Sequence, residues 1–274
     1  MPTLPAIDLT DRVALITGGA NGLGEGCALV LARCGARIAI ADRDVGRGEQ
    51  VAAALRAQGS EALFIPVEMM DGDQIAAMVA RVGEHFGRLD ILVNNVGGGR
   101  RVDFLSQSAN SIQRHIALNL LSVVHATQAA AALMIGGNRG GAIINVASTE
   151  ALRAAPGFAV YAACKAGVVS FTKTMALELA QHNIRSHALA PDMIETEGLK
   201  GLMEAATDSE KAARDRYIPL DRMGSVEEFG NVVAFLVSDM ASYLNGLTVA
   251  VDAGATAAAG WYRNPEGRWC LYHG

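Results

Sequence analysis

Short apolar runs alternate with longer helical segments along the whole chain, and this rhythm constrains the fold more than any other feature. Residues 13–17, 37–41, 62–67, 91–94, 142–147, 184–190 and 247–251 are brief and rich in Val and Ile. Continuous apolar runs of that length suit strands of a parallel sheet buried on both faces. Between them, residues 22–34, 44–57, 72–86, 110–136, 158–181 and 225–238 read as helices. The alternation predicts a doubly wound α/β fold: a seven-stranded parallel sheet, helices on both faces, right-handed crossovers. No linker or repeat divides the 274 residues, so a single domain spanning 1–274 is expected. Two regions break the rhythm. Residues 192–220 follow the sixth strand without a strand of their own, and the tail 255–274 holds Trp261, Tyr262, Trp269 and Tyr272. A terminal segment this aromatic is rarely left in solvent.

Composition removes several function classes. The chain is 51% hydrophobic, which argues against disorder, and its 30 glycines are aperiodic, which excludes collagen-like sequence. A net charge of −5 with no basic run speaks against nucleic acid or an anionic membrane as partner. Residues 116–135 carry no Asp, Glu, Lys or Arg, yet Asn119, Ser122, His125, Thr127 and Gln128 interrupt them and their apolar part is largely alanine. No membrane span is expected there. Cys27, Cys34, Cys164 and Cys270 form no CxxC pair, which favours reduced thiols and a cytoplasmic location. Small-residue packing is the better reading of Cys164. Residues 1–11 lack the basic and apolar regions of a signal peptide. The six histidines are dispersed without metal-ligand spacing, so no metal is expected.

The first strand runs into Thr17-Gly18-Gly19-Ala20-Asn21-Gly22-Leu23-Gly24, and a helix follows. Glycines at such a junction permit a tight turn and a close backbone approach to a pyrophosphate, with the helix N-terminus facing the phosphates. Asp42 ends the second strand, where a carboxylate accepts both ribose hydroxyls and repels a 2′-phosphate. This favours NAD over NADP. Arg43 tempers that preference, and the plainer reading of Asp42 is a cap for the helix at 44.

Further motifs follow in order: Asn94-Asn95-Val96-Gly97 after strand four, Asn119 in the long helix, Ser148 after strand five, Tyr161 with Lys165 four residues later, and Pro191 after strand six. Over about residues 8–254 the chain resembles the classical short-chain dehydrogenase/reductase family. The resemblance implies a Rossmann-type fold, with Asn119, Ser148, Tyr161 and Lys165 as the catalytic group. It implies a nicotinamide dinucleotide held by Gly18, Asn21, Gly22, Leu23, Gly24, Asp42, Asn95, Gly97, Tyr161, Lys165, Pro191, Ile194 and Thr196. Asn119 would support a water that relays protons to Lys165. The sequence departs from the family at Asp192, where a glycine is usual after Pro191, at Glu68 near adenine, and at Ala253 in place of a glycine.

The chemistry suits the residues. A free phenol, with a pKa near about 10, is a poor base at neutral pH, and a nearby cation lowers that value. Lys165 shares a helical face with Tyr161, and Ser148 can hold the substrate oxygen near the phenol. Glu150 reads either as facing the substrate or as a loop-surface carboxylate. The expected activity is hydride transfer between NAD(H) and a small-molecule secondary alcohol or ketone, Tyr161 acting as acid/base. A catalytically silent NAD-sensing protein and an NADP-dependent carbonyl reductase are the alternatives. Residues 192–220, with Met193, Leu199, Leu202, Met203, Tyr217 and Ile218, are expected to form a substrate lid. Its apolar side chains suggest a medium-sized hydrophobic substrate. Glu150, Asp192 and Arg100-Arg101 suggest a polyol or sugar. Helices 110–136 and 158–181 carry too little charge for outward faces, so a homotetramer packed through both is expected.

Overall fold

A computed structural model describes residues 7–271; Tyr272 and His273, and the side chains of Leu202 and Met203, fall outside the described residues. The strands β1 (Val13–Thr17), β2 (Arg37–Asp42), β3 (Ala62–Pro66), β4 (Ile91–Asn94), β5 (Gly141–Val146), β6 (Ile184–Pro191) and β9 (Thr248–Val251) form one sheet in the order β3-β2-β1-β4-β5-β6-β9. Every pairing in it is parallel. Helices α1 (Gly22–Arg33), α2 (Val45–Ala57) and α9 (Val226–Val237) cover one face, and α3 (Gly72–Phe86), α5 (Ser122–Gly137) and α6 (Ala159–Glu178) the other. Side chains on a strand alternate between faces. In β1, Ala14 and Ile16 therefore meet α1 and α9, while Val13 and Leu15 meet α3 and α5. Both sets are buried, which explains why the strand is apolar from Val13 to Ile16.

The expected helix 110–136 is interrupted. It divides into α4 (Ala109–Ile116), a π turn (Ala117–Leu121) and α5. The Ser122 hydroxyl donates to the Leu118 carbonyl at 2.6 Å, so the Ser122 N–H reaches one residue further back, to Ala117. Side-chain donors that claim an i−4 carbonyl distort a helix in this way. By length and composition alone, Ala109–Gly137 is apolar enough to cross a membrane, with mean hydropathy 1.5. In the fold it is a sheet-covering helix, with Val123, Ala126, Ala130 and Met134 buried.

Residues 192–220 also differ from expectation. They contain a short strand, β7 (Ile194–Glu195), paired with β8 (Gly224–Ser225), and two helices, α7 (Glu197–Ala205) and α8 (Asp208–Tyr217). The tail forms a short helix, α10 (Ala255–Ala258), and a hairpin of β10 (Tyr262–Arg263) with β11 (Trp269–Cys270). Its tryptophans are not enclosed: Trp261 and Trp269 are each 49% exposed. The hairpin contributes chiefly through Arg263, which donates to the Ile218 and Pro219 carbonyls and pairs with Asp221, bracing the end of α8. Ala253 stands in a left-handed conformation, φ 54°, where an L side chain is strained. Replacing Ala253 with Gly should therefore raise unfolding free energy by about 0.5–1 kcal/mol, net of the glycine's chain entropy; a higher thermal midpoint checks this.

Candidate active site

The carboxyl ends of parallel strands point to one side of the sheet, and the order reverses between β1 and β4. A cavity of about 390 Å³ opens there. It is lined by Gly18, Asn21, Gly22, Leu23, Asp42, Asn95, Gly97, Tyr161, Lys165, Pro191 and Thr196 among others. Eleven residues expected from the sequence thus meet at one place.

The glycine-rich turn is held from both sides. Gly18 has φ 66° and donates to the Ala41 carbonyl at 2.7 Å. Asn95 Nδ2 donates to the carbonyls of Thr17 and Gly18 at 3.0 and 3.1 Å, and the Asn95 N–H donates to Thr17 Oγ1 at 3.0 Å. At Gly24 a Cβ would lie 2.1 Å from the Gly18 carbonyl oxygen, so only glycine lets α1 start this close to β1. Gly24 thus shapes the cradle without lining the cavity. At its far end, Asp42 accepts from the N–H groups of Ala20 and Asp44 at 3.1 and 3.0 Å. The cap of α2 is Asp44, not Asp42. Asp42 instead ties the glycine loop to the β2–α2 turn, and exposed Arg43 stands beside it on the cavity wall.

Ile194 is the exception. Its side chain is buried against Gly224, away from this cavity, and its N–H donates to the Asp192 carbonyl at 3.1 Å. The β7–β8 pairing turns it inward, so only Pro191, Thr196 and Gly198 of that segment line the cavity. Ile218, expected in the lid, is likewise buried.

At the reacting end, Ser148 follows β5 and Tyr161 stands in the first turn of α6, with the Ser148 side chain near enough to act on the phenol. Burial is the largest influence on the Tyr161 phenol and pushes its pKa above the ordinary value; Ser148 lowers it and the Glu150 carboxylate raises it. This corrects the expectation that Lys165 sets a depressed phenol. The Lys165 ammonium lies 5.8 Å from the Tyr161 ring centroid and donates to the Val146 carbonyl at 2.7 Å. It is buried, and burial brings its own pKa down to about 8. The Glu150 carboxylate pairs with Arg153 at 3.1 Å and is only partly exposed, so it is not a detached surface group.

Asn119 is fully buried inside the π turn. Its Oδ1 accepts from the Gly98 N–H at 2.8 Å, and its Nδ2 donates to the carbonyls of Gly98 and His115, both at 3.0 Å. Those bonds engage the side-chain amide and fix the loop after β4. A Cβ on Gly97 would come within 2.9 Å of both Lys165 Nζ and Asn119 Oδ1, so glycine is what lets that loop lie against them. Cys164 is buried, bonded to the His115 carbonyl, and its thiol pKa is raised by burial, as suits a packing residue. Sequence reasoning missed Arg153, which belongs to no motif, and the apolar lining of Val67, Met69, Val96, Leu118 and Val146.

Over residues 18–256 the chain matches the family described as enoyl-(acyl carrier protein) reductase. It is 38% identical over 248 residues to the 3-oxoacyl-(acyl carrier protein) reductase FabG of Thermotoga maritima, covering 90% of this chain and 98% of that one. The chain belongs to the short-chain dehydrogenase/reductase family. A solved short-chain alcohol dehydrogenase, itself assigned only putatively, from Sinorhizobium meliloti 1021 superposes with TM-score 0.87 at 32% identity, over 92% of this chain and 99% of the other. A gluconate 5-dehydrogenase from Burkholderia cenocepacia J2315, in complex with NADP and tartrate, gives TM-score 0.86 at 33% identity, over 92% and 98%. The short-chain dehydrogenase/reductases are oxidoreductases, and the seven-stranded Rossmann-type sheet here is theirs.

The buried lysine makes stability depend on pH. With a folded pKa of about 8 against 10.5 unfolded, Lys165 holds fewer protons in the native state between those values. Unfolding free energy then rises with pH across that window. The dinucleotide-free protein should gain stability over Lys165→Met between pH 8 and 10.5 and keep a constant offset below pH 7, as urea unfolding of both would show.

Proposed function

We propose that the chain is an NAD(H)-dependent oxidoreductase that moves hydride between nicotinamide and a secondary alcohol or ketone, with Tyr161 as general acid/base. The observation that carries this is Tyr161 and Lys165 lining one end of a cavity, with Ser148 acting on the phenol, while the glycine loop and Asp42 line the other. The cradle fits a dinucleotide: the N-terminus of α1 faces the cavity, the Gly24 contact leaves no room for a side chain, and Asp42 stands a β-strand away. When bound, the nicotinamide supplies or accepts the hydride.

The chain's own groups handle the proton. Ser148 and Tyr161 hold the substrate oxygen between their hydroxyls. In reduction the Tyr161 phenol donates its proton to the carbonyl oxygen, and its raised pKa keeps it protonated for that step. In oxidation the phenolate takes the hydroxyl proton, with the Lys165 ammonium across the ring face. The charged cluster of Glu150, Arg153 and Asp192 near Tyr161 supports a hydroxyl-bearing substrate over a wholly apolar one. NADP is the second reading. Exposed Arg43 beside Asp42 favours it, and the Burkholderia cenocepacia neighbour was solved with NADP.

A panel of secondary alcohols, diols, sugars and ketones, each with NAD and NADP, tests the proposal. Net NADH formation is expected, with Tyr161→Phe lowering kcat by about 10²–10⁴-fold while dinucleotide affinity stays. Dinucleotide binding without turnover of any panel member would instead support the silent sensor.

We also propose a homotetramer through α4–α5 and α6. Ile116, Leu121 and Ile135 on the first, and Leu177 (80% exposed) on the second, are large apolar side chains facing outward. Light scattering should give a mass near four times 28.6 kDa; a monomer at micromolar concentration would refute the assembly.

A further inference from the structure

Beside Tyr161 lies a polar network that no motif accounts for. Arg153 sits in the segment after β5, five residues past Ser148. Its Nη2 donates to Glu150 Oε1 at 3.1 Å, to Asp192 Oδ2 at 3.3 Å and to Thr149 Oγ1 at 3.4 Å. Its Nη1 donates to the Tyr217 hydroxyl, and its guanidinium lies 5.6 Å from the Tyr217 ring centroid. The Tyr217 hydroxyl in turn donates to Asp192 Oδ2 at 2.6 Å. One guanidinium therefore joins three segments: the one carrying Ser148, the loop after β6, and the last residue of α8.

The third segment depends on such ties. Helix α8 buries none of its residues fully, so core packing does not fix it. It is held past its C-terminal end by Arg263 on Asp221, and the start of α7 is held by the Arg47–Glu197 ion pair at 3.1 Å. Between these anchors, the Arg153–Asp192–Tyr217 contact joins α8 to the reacting end of the cavity. Hydrogen bonds to charged groups in a partly buried setting are the stronger kind. The network also carries two carboxylates against one guanidinium, and one of them, Glu150, acts on the Tyr161 phenol.

We propose that Arg153 is a positioning residue for the reaction: with Asp192 and Tyr217 it latches the α7–α8 segment over the reacting end of the cavity, and it holds a positive charge against the Glu150 carboxylate beside Tyr161. Burial and the bond to Asp192 push the Tyr217 phenol up to about 12, so it remains a donor to Asp192 throughout the neutral range. Asp192 stands where the family usually has glycine, and glycine would leave the guanidinium and the phenol without their shared acceptor. The kinetic half of the proposal rests on the hydride-transfer reading; the latch does not.

Tyr217→Phe, Arg153→Met and Arg153→Lys in the full chain test both halves. Trypsin cleavage after Lys200 and Lys211, with and without NAD(H), reads the latch. Tyr217→Phe and Arg153→Met should be cut about tenfold faster than wild type, and Arg153→Lys at an intermediate rate. Wild-type rates in Tyr217→Phe would overturn the latch even if no substrate were known. With a substrate from the panel, Tyr217→Phe should raise KM about tenfold and change kcat less than KM. In the oxidation direction, where the phenolate is needed, Arg153→Met should also lower kcat about tenfold, and adding Glu150→Gln to it should restore kcat. A double variant as slow as Arg153→Met would overturn the charge-holding role. A wild type that binds NAD(H) but turns nothing over would instead sink the hydride-transfer reading, with the cleavage rates still deciding the latch.

Discussion

A sheet covered on both faces leaves polar chemistry one place to go, the ends of its strands. Every side chain of β1 is buried, and the same holds for β4. Backbone pairing satisfies the polar groups along the strands, and apolar helices seal both sides. The carboxyl ends, where the chain leaves the sheet for a helix, are where Thr17, Asp42, Asn94, Ser148 and Pro191 stand. The order reversal between β1 and β4 separates the loops there and opens the cavity.

The electrostatics of that cavity oppose one another. Burial raises the Tyr161 phenol and lowers the Lys165 ammonium, so in the free protein both groups are pushed towards their neutral forms. A cation and an anion placed together counter that tendency, because each supplies the charge that the other lacks water to stabilise. The Val146 carbonyl takes one proton of the ammonium and fixes where its charge lies. Ser148 lowers the phenol's pKa and Glu150 raises it, with Arg153 across from Glu150. The site is a balance of four charged or chargeable groups contributed by two segments, α6 and the stretch after β5.

Some features were readable because they are local. Tyr161 and Lys165 lie four apart, and a helix alone puts them on one face. Gly18 and Gly24 declared a tight junction between a strand and a helix. Other features were not readable because they depend on distant partners. Asn119 is a helix residue in the sequence; in the fold its side-chain amide is engaged by Gly98, 21 positions away. Ile194 looked like a cavity residue, until pairing with Gly224 turned it inward. The aromatic tail looked buried, yet its hold on the fold comes through Arg263 while its tryptophans stay half exposed.

The sequence by itself determined the alternation of strands and helices, the parallel sheet, and the junctions where glycine or a short polar side chain had to stand. Those follow from side-chain periodicity and backbone sterics, which act over a few residues. Only the tertiary structure decided what each polar group at those junctions is spent on: Asn119 on a loop, Asp42 on the glycine turn, Arg153 on two carboxylates and a phenol. The reason is physical. Hydrogen bonds and ion pairs are claimed by whatever partner the fold brings within about 3 Å, and no periodicity in the chain records which partner that will be.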